Sequence, residues 1–251
     1  MKTSMRTLSL SLFISSFALA SFGLYADGFI ELEGGAAFTG YNDVRIPSET
    51  GTLVSLATDT IPEPTFAFRV RGGYTFADRH TLMALVAPLT VRGKGTLDKD
   101  TSYFGALFPA GTEVESMYRF DSYRLTYRYT FIDNDDLLLA AGLTGKLRSA
   151  DIALASDDAY AHRSDLGVVP LINFKVEWKF ARPFSMVLDG DALVTPFGRA
   201  EDILAALQYR ANDSVAFRLG YRVLDGGSDG GGNVYTFALF HYATAGMTVR
   251  F

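Results

Sequence analysis

The chain has 251 residues, no cysteine, 48% hydrophobic and 14% aromatic residues, 24 glycines and a formal charge of −5. The mildly acidic balance leaves no electrostatic footprint for a nucleic-acid partner. The absence of cysteine excludes thiolate metal ligands, cysteine nucleophiles and any disulfide framework.

One apolar mass stands at the start. Lys2 and Arg6 precede an uncharged stretch over residues 8–20, too short to span a bilayer comfortably and followed by small residues, which reads as a secretory signal peptide over residues 1–26. Cleavage after Ala26 is expected because strand-like sequence begins at once; Ala20, which closes the small-x-small triplet Ala18-Leu19-Ala20, is the alternative. Residues 27–251 then form the mature chain, and no later run reaches the ~18 apolar residues of a transmembrane helix.

Beyond that segment the pattern has period two. Ile30, Leu32, Gly34, Ala36 and Phe38 oppose Glu31 and Glu33, and Phe66, Phe68, Val70, Tyr74 and Phe76 alternate with Arg69 and Arg71. Further on, Tyr123, Leu125, Tyr127 and Tyr129 alternate with Arg124 and Arg128, and Ile172, Phe174, Val176 and Trp178 with Lys175, Glu177 and Lys179. Val215, Phe217, Leu219 and Tyr221 then alternate with Arg218 and Arg222. Such alternation marks strands with one apolar face. Segments near 28–39, 65–76, 80–92, 117–132, 137–150, 166–180, 184–195, 202–211, 215–224 and 234–251 give about ten antiparallel strands, with eight or twelve as the other counts the pattern allows. Residues 203–207 also have helical propensity, but the polar turn Asn212-Asp213-Ser214 argues for a strand there.

Alternation alone fits a soluble sandwich as well as a barrel in lipid. The connections favour the barrel. Tight turns at 77–79, 133–135, 181–183 and 211–214 alternate with longer segments at 40–64, 93–116 and 153–165, and aromatic residues cluster at strand ends, as expected of a transmembrane antiparallel up-and-down β-barrel with short periplasmic turns. Its inward face would then carry Glu31, Glu33, Arg69, Arg71, Arg124, Arg128, Lys146, Arg148, Lys175, Glu177, Lys179, Asp189, Asp191, Arg210, Arg218, Arg222 and Arg250. So many long charged groups are expected to interdigitate as a salt-bridged plug with a basic surplus, the acids bonded to arginines on neighbouring strands.

The chain ends "ATAGMTVRF". Thr244, Gly246, Val249 and Phe251 resemble the C-terminal assembly signal of Gram-negative outer-membrane proteins, and residues 209–251 resemble the closing hairpins of a group of proteobacterial outer-membrane barrels of uncharacterised role. The resemblance implies a small outer-membrane β-barrel contacting outer-membrane lipid and lipopolysaccharide and handled by periplasmic chaperones and the barrel-assembly machinery; it implies no activity, cofactor or oligomeric state.

For function the expectation is a structural barrel or a narrow solute or ion channel with a charged lumen. The alternatives are an outer-membrane enzyme acting on lipid A or peptides, and a surface adhesin or ligand-binding barrel. Asp157, Asp158, His162 and Asp165 form the one acidic cluster with a histidine, in a segment whose spacing matches neither omptin-like proteases nor lipid A deacylases, and reads as a solvated loop. His241 has Ala243 where a deacylase-like His-x-Ser motif needs its nucleophile. His80, His162 and His241 lie on separate segments, which leaves a metal site unsupported. Asp225 and Asp229 sit in one Gly-rich copy, whereas calcium-binding repeats of that kind are iterated.

Overall fold

A computed structural model describes residues 26–229 and 234–251; of the expected signal segment, all but Ala26 lies outside the described residues. Ten long strands follow one another: β1 (Ala26–Arg45), β2 (Thr65–Phe76), β3 (His80–Ala87, resuming over Thr90–Thr96), β4 (Glu113–Asp133), β5 (Leu137–Ala155), β6 (Tyr160–Ala181), β7 (Phe184–Thr195), β8 (Gly198–Arg210), β9 (Val215–Asp229) and β10 (Tyr235–Arg250). Each pairs antiparallel with its successor, and β10 pairs with β1 from Arg250 opposite Phe29 to Tyr235 opposite Arg45. The sheet is a closed barrel, sealed at its seam by reciprocal 2.9 Å hydrogen bonds between the main chains of Gly28 and Phe251. Pro88 interrupts β3 without shifting it, because Ala87 opposite Ser122 and Thr90 opposite Arg119 belong to one register.

The two ends differ as the turn chemistry dictates. Ala26, Phe251 and the connections 77–79, 134–136, 182–183 and 211–214 gather at one end. In two of these turns an asparagine amide oxygen takes the place of a backbone acceptor: Asn134 Oδ1 accepts from the Asp136 and Leu137 N–H groups at 3.0 and 2.8 Å, and Asn212 Oδ1 from Ser214 and Val215 at 2.9 and 2.8 Å. At the other end the strands run further than alternation implies. β1 extends to Arg45, β4 starts at Glu113, and β5 and β6 leave only residues 156–159 between them, so much of the expected loops 40–64, 93–116 and 153–165 is strand, as is the Gly-rich stretch of β9. The physical reason is that the outward face there carries Asp43, Arg45, Glu115, Asp151 and His162, and a polar outer face erases the alternation that betrays a strand in lipid. Residues 203–207 lie within β8.

The barrel is apolar outside and charged inside. Phe66, Phe68, Leu125, Leu143, Ile172 and Leu219 are among the exposed large hydrophobic side chains, while Arg69, Arg124, Asp189 and Asp202 are buried. That inversion suits hydrocarbon as the surrounding solvent, where only a closed barrel or a helix satisfies its own backbone. Near the tight-turn end lie the ring pairs Tyr74 with Phe76, Tyr129 with Phe131, Trp178 with Phe180 and Phe184 with Tyr209, at centroid separations of 5.0–5.6 Å, the aromatic girdle of an interfacial level. At the opposite end segments 46–64 and 97–112 fold down onto the strands. Ile46, Leu56, Tyr103 and Phe108 are buried with Val44, Ile152, Leu154 and Phe240 in an apolar cluster, and Tyr103 Oη donates to the Ile152 carbonyl at 3.1 Å.

Candidate functional site: the charged ring in the lumen

At mid-height the inward positions of seven strands converge on one cyclic network. Arg71 bridges Glu31 (3.0 Å) and Asp189 (3.3 Å). Asp189 also binds Arg128 (3.1 Å), whose Nε donates to Asn173 Oδ1 (2.6 Å). Asn173 Nδ2 donates to Asp191 (2.8 Å), which accepts from Arg124 (2.6 Å) and from Thr144 Oγ1 (2.6 Å). Arg124 meets Asp202 at 2.5 Å, and Asp202 also receives Arg69 (2.8 Å) and Arg222 (2.5 Å). Arg222 passes to Glu33 (2.7 Å), Glu33 to Arg218 (3.0 Å), and Arg218 returns to Glu31 (3.4 Å). None of these eleven charged residues is more than 9% exposed. Five carboxylates thus face six guanidiniums, and the bidentate geometry of arginine lets one acid serve two or three partners without leaving a charge stranded.

The ring departs from the sequence expectation in one respect. Glu31 pairs with Arg71 directly across the β1–β2 ladder, but Asp189 and Asp191 on β7 bond to arginines of β2 and β4 across the lumen, and Glu33 reaches β9 over the intervening β10. The reason is local: the residues paired with Asp189 on its neighbouring strands are Lys175 and Leu204, so the extended arginine side chains must cross the interior to meet it. Gly246 has its own part. A Cβ at that position would lie 2.7 Å from Arg218 Nε, so the glycine makes the room in which Arg218 sits.

Other charges read as inward-facing lie above or below the ring. Toward the tight-turn end, Lys175 Nζ is 3.7 Å from Glu177, whose Oε1 accepts from Ser185, Gln208 and Arg210 at 3.0, 2.9 and 3.3 Å. Lys179 pairs with Asp133 at 2.7 Å on the rim. Asp133, Lys175, Glu177, Lys179, Arg210 and Arg250 line a vestibule of about 380 Å³ that reaches up to Glu31 and Arg71. On the far side of the ring Arg148 pairs with Asp165, and the buried Lys146 ammonium stands 4.6 Å from the centroid of the Phe120 ring. These two basic residues line a second interior cavity, of about 410 Å³.

Sequence reasoning missed Asp202, which accepts from three arginines. On its strand the inward residues Asp202, Leu204, Ala206 and Gln208 alternate with Ile203, Ala205, Leu207 and Tyr209, so both faces are largely apolar and neither declares itself. Asn173, Thr144 and Ser122, which tie the arginines and acids in place, carry no charge and gave no signal.

The other candidates fall elsewhere. His162 Nδ1 lies 3.2 Å from Asp151 on the outward face beside Arg119, while Asp165 turns to Arg148, so the residues of that segment do not converge. His241 stacks on Tyr221 and His80 on Phe76. Asp225 binds Arg199 at 3.0 Å and accepts from Tyr41 Oη at 2.5 Å. Among the described residues no group of three or more His, Asp or Glu could hold a metal ion. Thr244 Oγ1 donates to the Gly220 carbonyl at 3.3 Å, Val249 lies opposite both Ile30 and Val215, and the exposed Phe251 ring packs over Gly28.

No protein-family model matches the chain, and no curated protein matches it either. Solved structures do. The outer membrane protease OmpT from Escherichia coli superposes with a TM-score of 0.55 at 9% identity, over 90% of this chain and 97% of that one. The attachment invasion locus protein Ail of Yersinia pestis gives 0.39 at 12% identity, covering 89% and 99%, and the Pseudomonas putida toluene transporter TodX 0.37 at 9%, covering 89% and 90%. The fold is that of a Gram-negative outer-membrane β-barrel. It is a closed, all-antiparallel barrel of ten strands whose midsection is filled by the ion-paired ring.

Proposed function

We propose that the protein is an integral outer-membrane barrel whose lumen is sealed at mid-height, a structural element of the envelope and not a general porin. The observation that carries this reading is the cyclic network of five acids and six arginines, none more than 9% exposed, between the vestibule and the outer cavity. Moving a hydrated solute through it means separating charge pairs in a confined space of low dielectric, and removing one partner of such a pair costs about 3–5 kcal/mol. Any residual conduction is small and favours anions, because the ring has one more guanidinium than carboxylate and Lys146 beyond it forms no ion pair among the described residues.

Residues 1–26 act in this reading as a cleaved export signal. Thr244, Gly246, Val249 and Phe251 are the sequence that periplasmic chaperones and the barrel-assembly machinery recognise, and the apolar wall rests in outer-membrane lipid and lipopolysaccharide. Planar-bilayer recording on the purified barrel is the test: silence, or small anion-favouring events, is expected. Large porin-like steps or a preference for cations would overturn the reading.

A further inference from the structure

Above the ring the barrel wall is incomplete. The β6–β7 ladder ends at Ile172 opposite Ala192, yet β6 continues to Tyr160, paired along this upper stretch with β5 alone, while β7 stops at Thr195. Two prolines account for the gap. Pro170 would be the next but one residue in the ladder, opposite Val194, and it has no N–H to donate; the β5–β6 pairing runs past it unbroken, so its missing donor falls on the β7 side. Pro196 then turns β7 back at once, in a hairpin tightened by Thr195 Oγ1 donating to the Gly198 carbonyl at 3.0 Å. Gly198 has φ +146°, and a Cβ there would strike the Gly227 carbonyl oxygen, so this short hairpin depends on glycine. The result is a notch between β6 and the low β7–β8 hairpin.

The notch leads inward to the cavity of about 410 Å³. Its inner walls are Tyr118, Leu224, Ala238 and Phe240, and its mouth passes between Val168 and Phe197, each 77% exposed. With Leu166 and Val194, also exposed, these residues give the notch an apolar lip. Such a lip belongs at the boundary of hydrocarbon rather than in water. The unpaired edge of β6 beside it needs polar partners, which hydrocarbon does not provide and a headgroup does. The floor is basic. Lys146 is 3% exposed and its ammonium, among the described residues, makes no hydrogen bond or ion pair; its contact is the Phe120 ring. Arg148 Nε is likewise buried without a hydrogen-bond partner.

We propose that this cavity binds a single-chain anionic amphiphile, of the fatty-acid class, admitted sideways from the outer leaflet through the notch between β6 and β7, with its acidic headgroup held by Lys146 and Arg148. A volume of about 410 Å³ lies within the ~300–1,000 Å³ of small-molecule sites. At roughly 30 Å³ per water-sized group it has room for about a dozen chain atoms, which fits one acyl chain and not a lipid with several. This binding needs no path through the ring below.

The test uses the purified barrel in lipid nanodiscs with dodecanoic acid carrying a terminal diazirine. Photolysis should place adducts on Tyr118, Leu224 or Phe240, and excess dodecanoic acid should suppress them. Adducts confined to outward residues such as Leu125 and Leu219 would show annular lipid only and overturn the proposal. Ala200→Trp, which fills the cavity, should abolish the interior adducts in barrel that still shows heat-modifiable mobility. Lys146→Gln should weaken competition by dodecanoic acid about tenfold and leave competition by dodecanol unchanged; equal effects on both would remove the headgroup assignment. Since the chain has no native cysteine, Pro170→Cys with Val194→Cys can be bridged across the notch by a short bis-maleimide. Interior labelling should fall only after bridging, and undiminished labelling would show that the ligand does not pass this way.

Discussion

Asp202→Asn is the sharpest probe of the ring. Asp202 accepts from Arg69, Arg124 and Arg222 at 2.5–2.8 Å while 2% exposed. Asparagine keeps the shape and one acceptor oxygen but removes the charge, so the ring changes from five acids against six arginines to four against six. Stripping one partner from a buried ion pair costs about 3–5 kcal/mol; because an acceptor survives, the lower end, ~3 kcal/mol, is expected, equivalent to a change of roughly a hundredfold in the folding equilibrium. Urea titration of the refolded barrel in lipid vesicles, followed by heat-modifiable mobility, reads this as a lowered midpoint. Asp213→Asn, in the exposed turn 211–214, should leave the midpoint where it is. Adding Arg69→Met to Asp202→Asn restores an excess of one guanidinium, and the double variant should regain part of the lost stability. A midpoint for Asp202→Asn within about 0.5 kcal/mol of the parent, or a double variant no better than the single, would refute the view that balanced charge holds the midsection together.

Replacing Phe251 with Asp, or deleting it, should lower the level of folded barrel in the outer membrane without blocking secretion, since this residue closes the seam with Gly28; normal amounts of heat-modifiable protein would sink the assembly role. An epitope inserted between Asp157 and Asp158, in the connection at the long-loop end, should be reached by antibody on whole cells, whereas one at Asn134 or Asn212 should not, and labelling at Asn134 would reverse the topology. Gly198→Ala should destabilise by at least the ~1–3 kcal/mol of a strained backbone, because φ is +146° and the new Cβ meets the Gly227 carbonyl; an unchanged urea midpoint would show that the β7–β8 hairpin relaxes without cost.

The local code of this chain is written in period two, and wherever one strand face meets lipid that code is readable. The alternation around Arg69 and Arg71, or around Arg124 and Arg128, separates aromatic and aliphatic residues from guanidiniums because hydrocarbon tolerates the first and excludes the second. The turns at Asn134 and Asn212 declare themselves through side chains that replace backbone acceptors. Sequence therefore determined the all-β class, the barrel, the antiparallel order of its strands and most of the charge inside. It could not determine the upper strands, where polar residues such as Asp43 and Glu115 face outward and remove the contrast, nor Asp202, whose strand is apolar on both faces.

Tertiary structure alone decided which charges meet. Partners in the ring are up to 189 residues apart, as Glu33 is from Arg222, and closure of the wall brings β2 and β4 opposite β7, so no spacing along the chain encodes the contact between Arg124 and Asp191. The notch is of the same kind. Pro170 read along the chain is one more residue of an alternating strand; that it adjoins the turn at Pro196, and that the Lys146 behind them forms no ion pair among the described residues, comes only from the register that curls ten strands into one closed sheet.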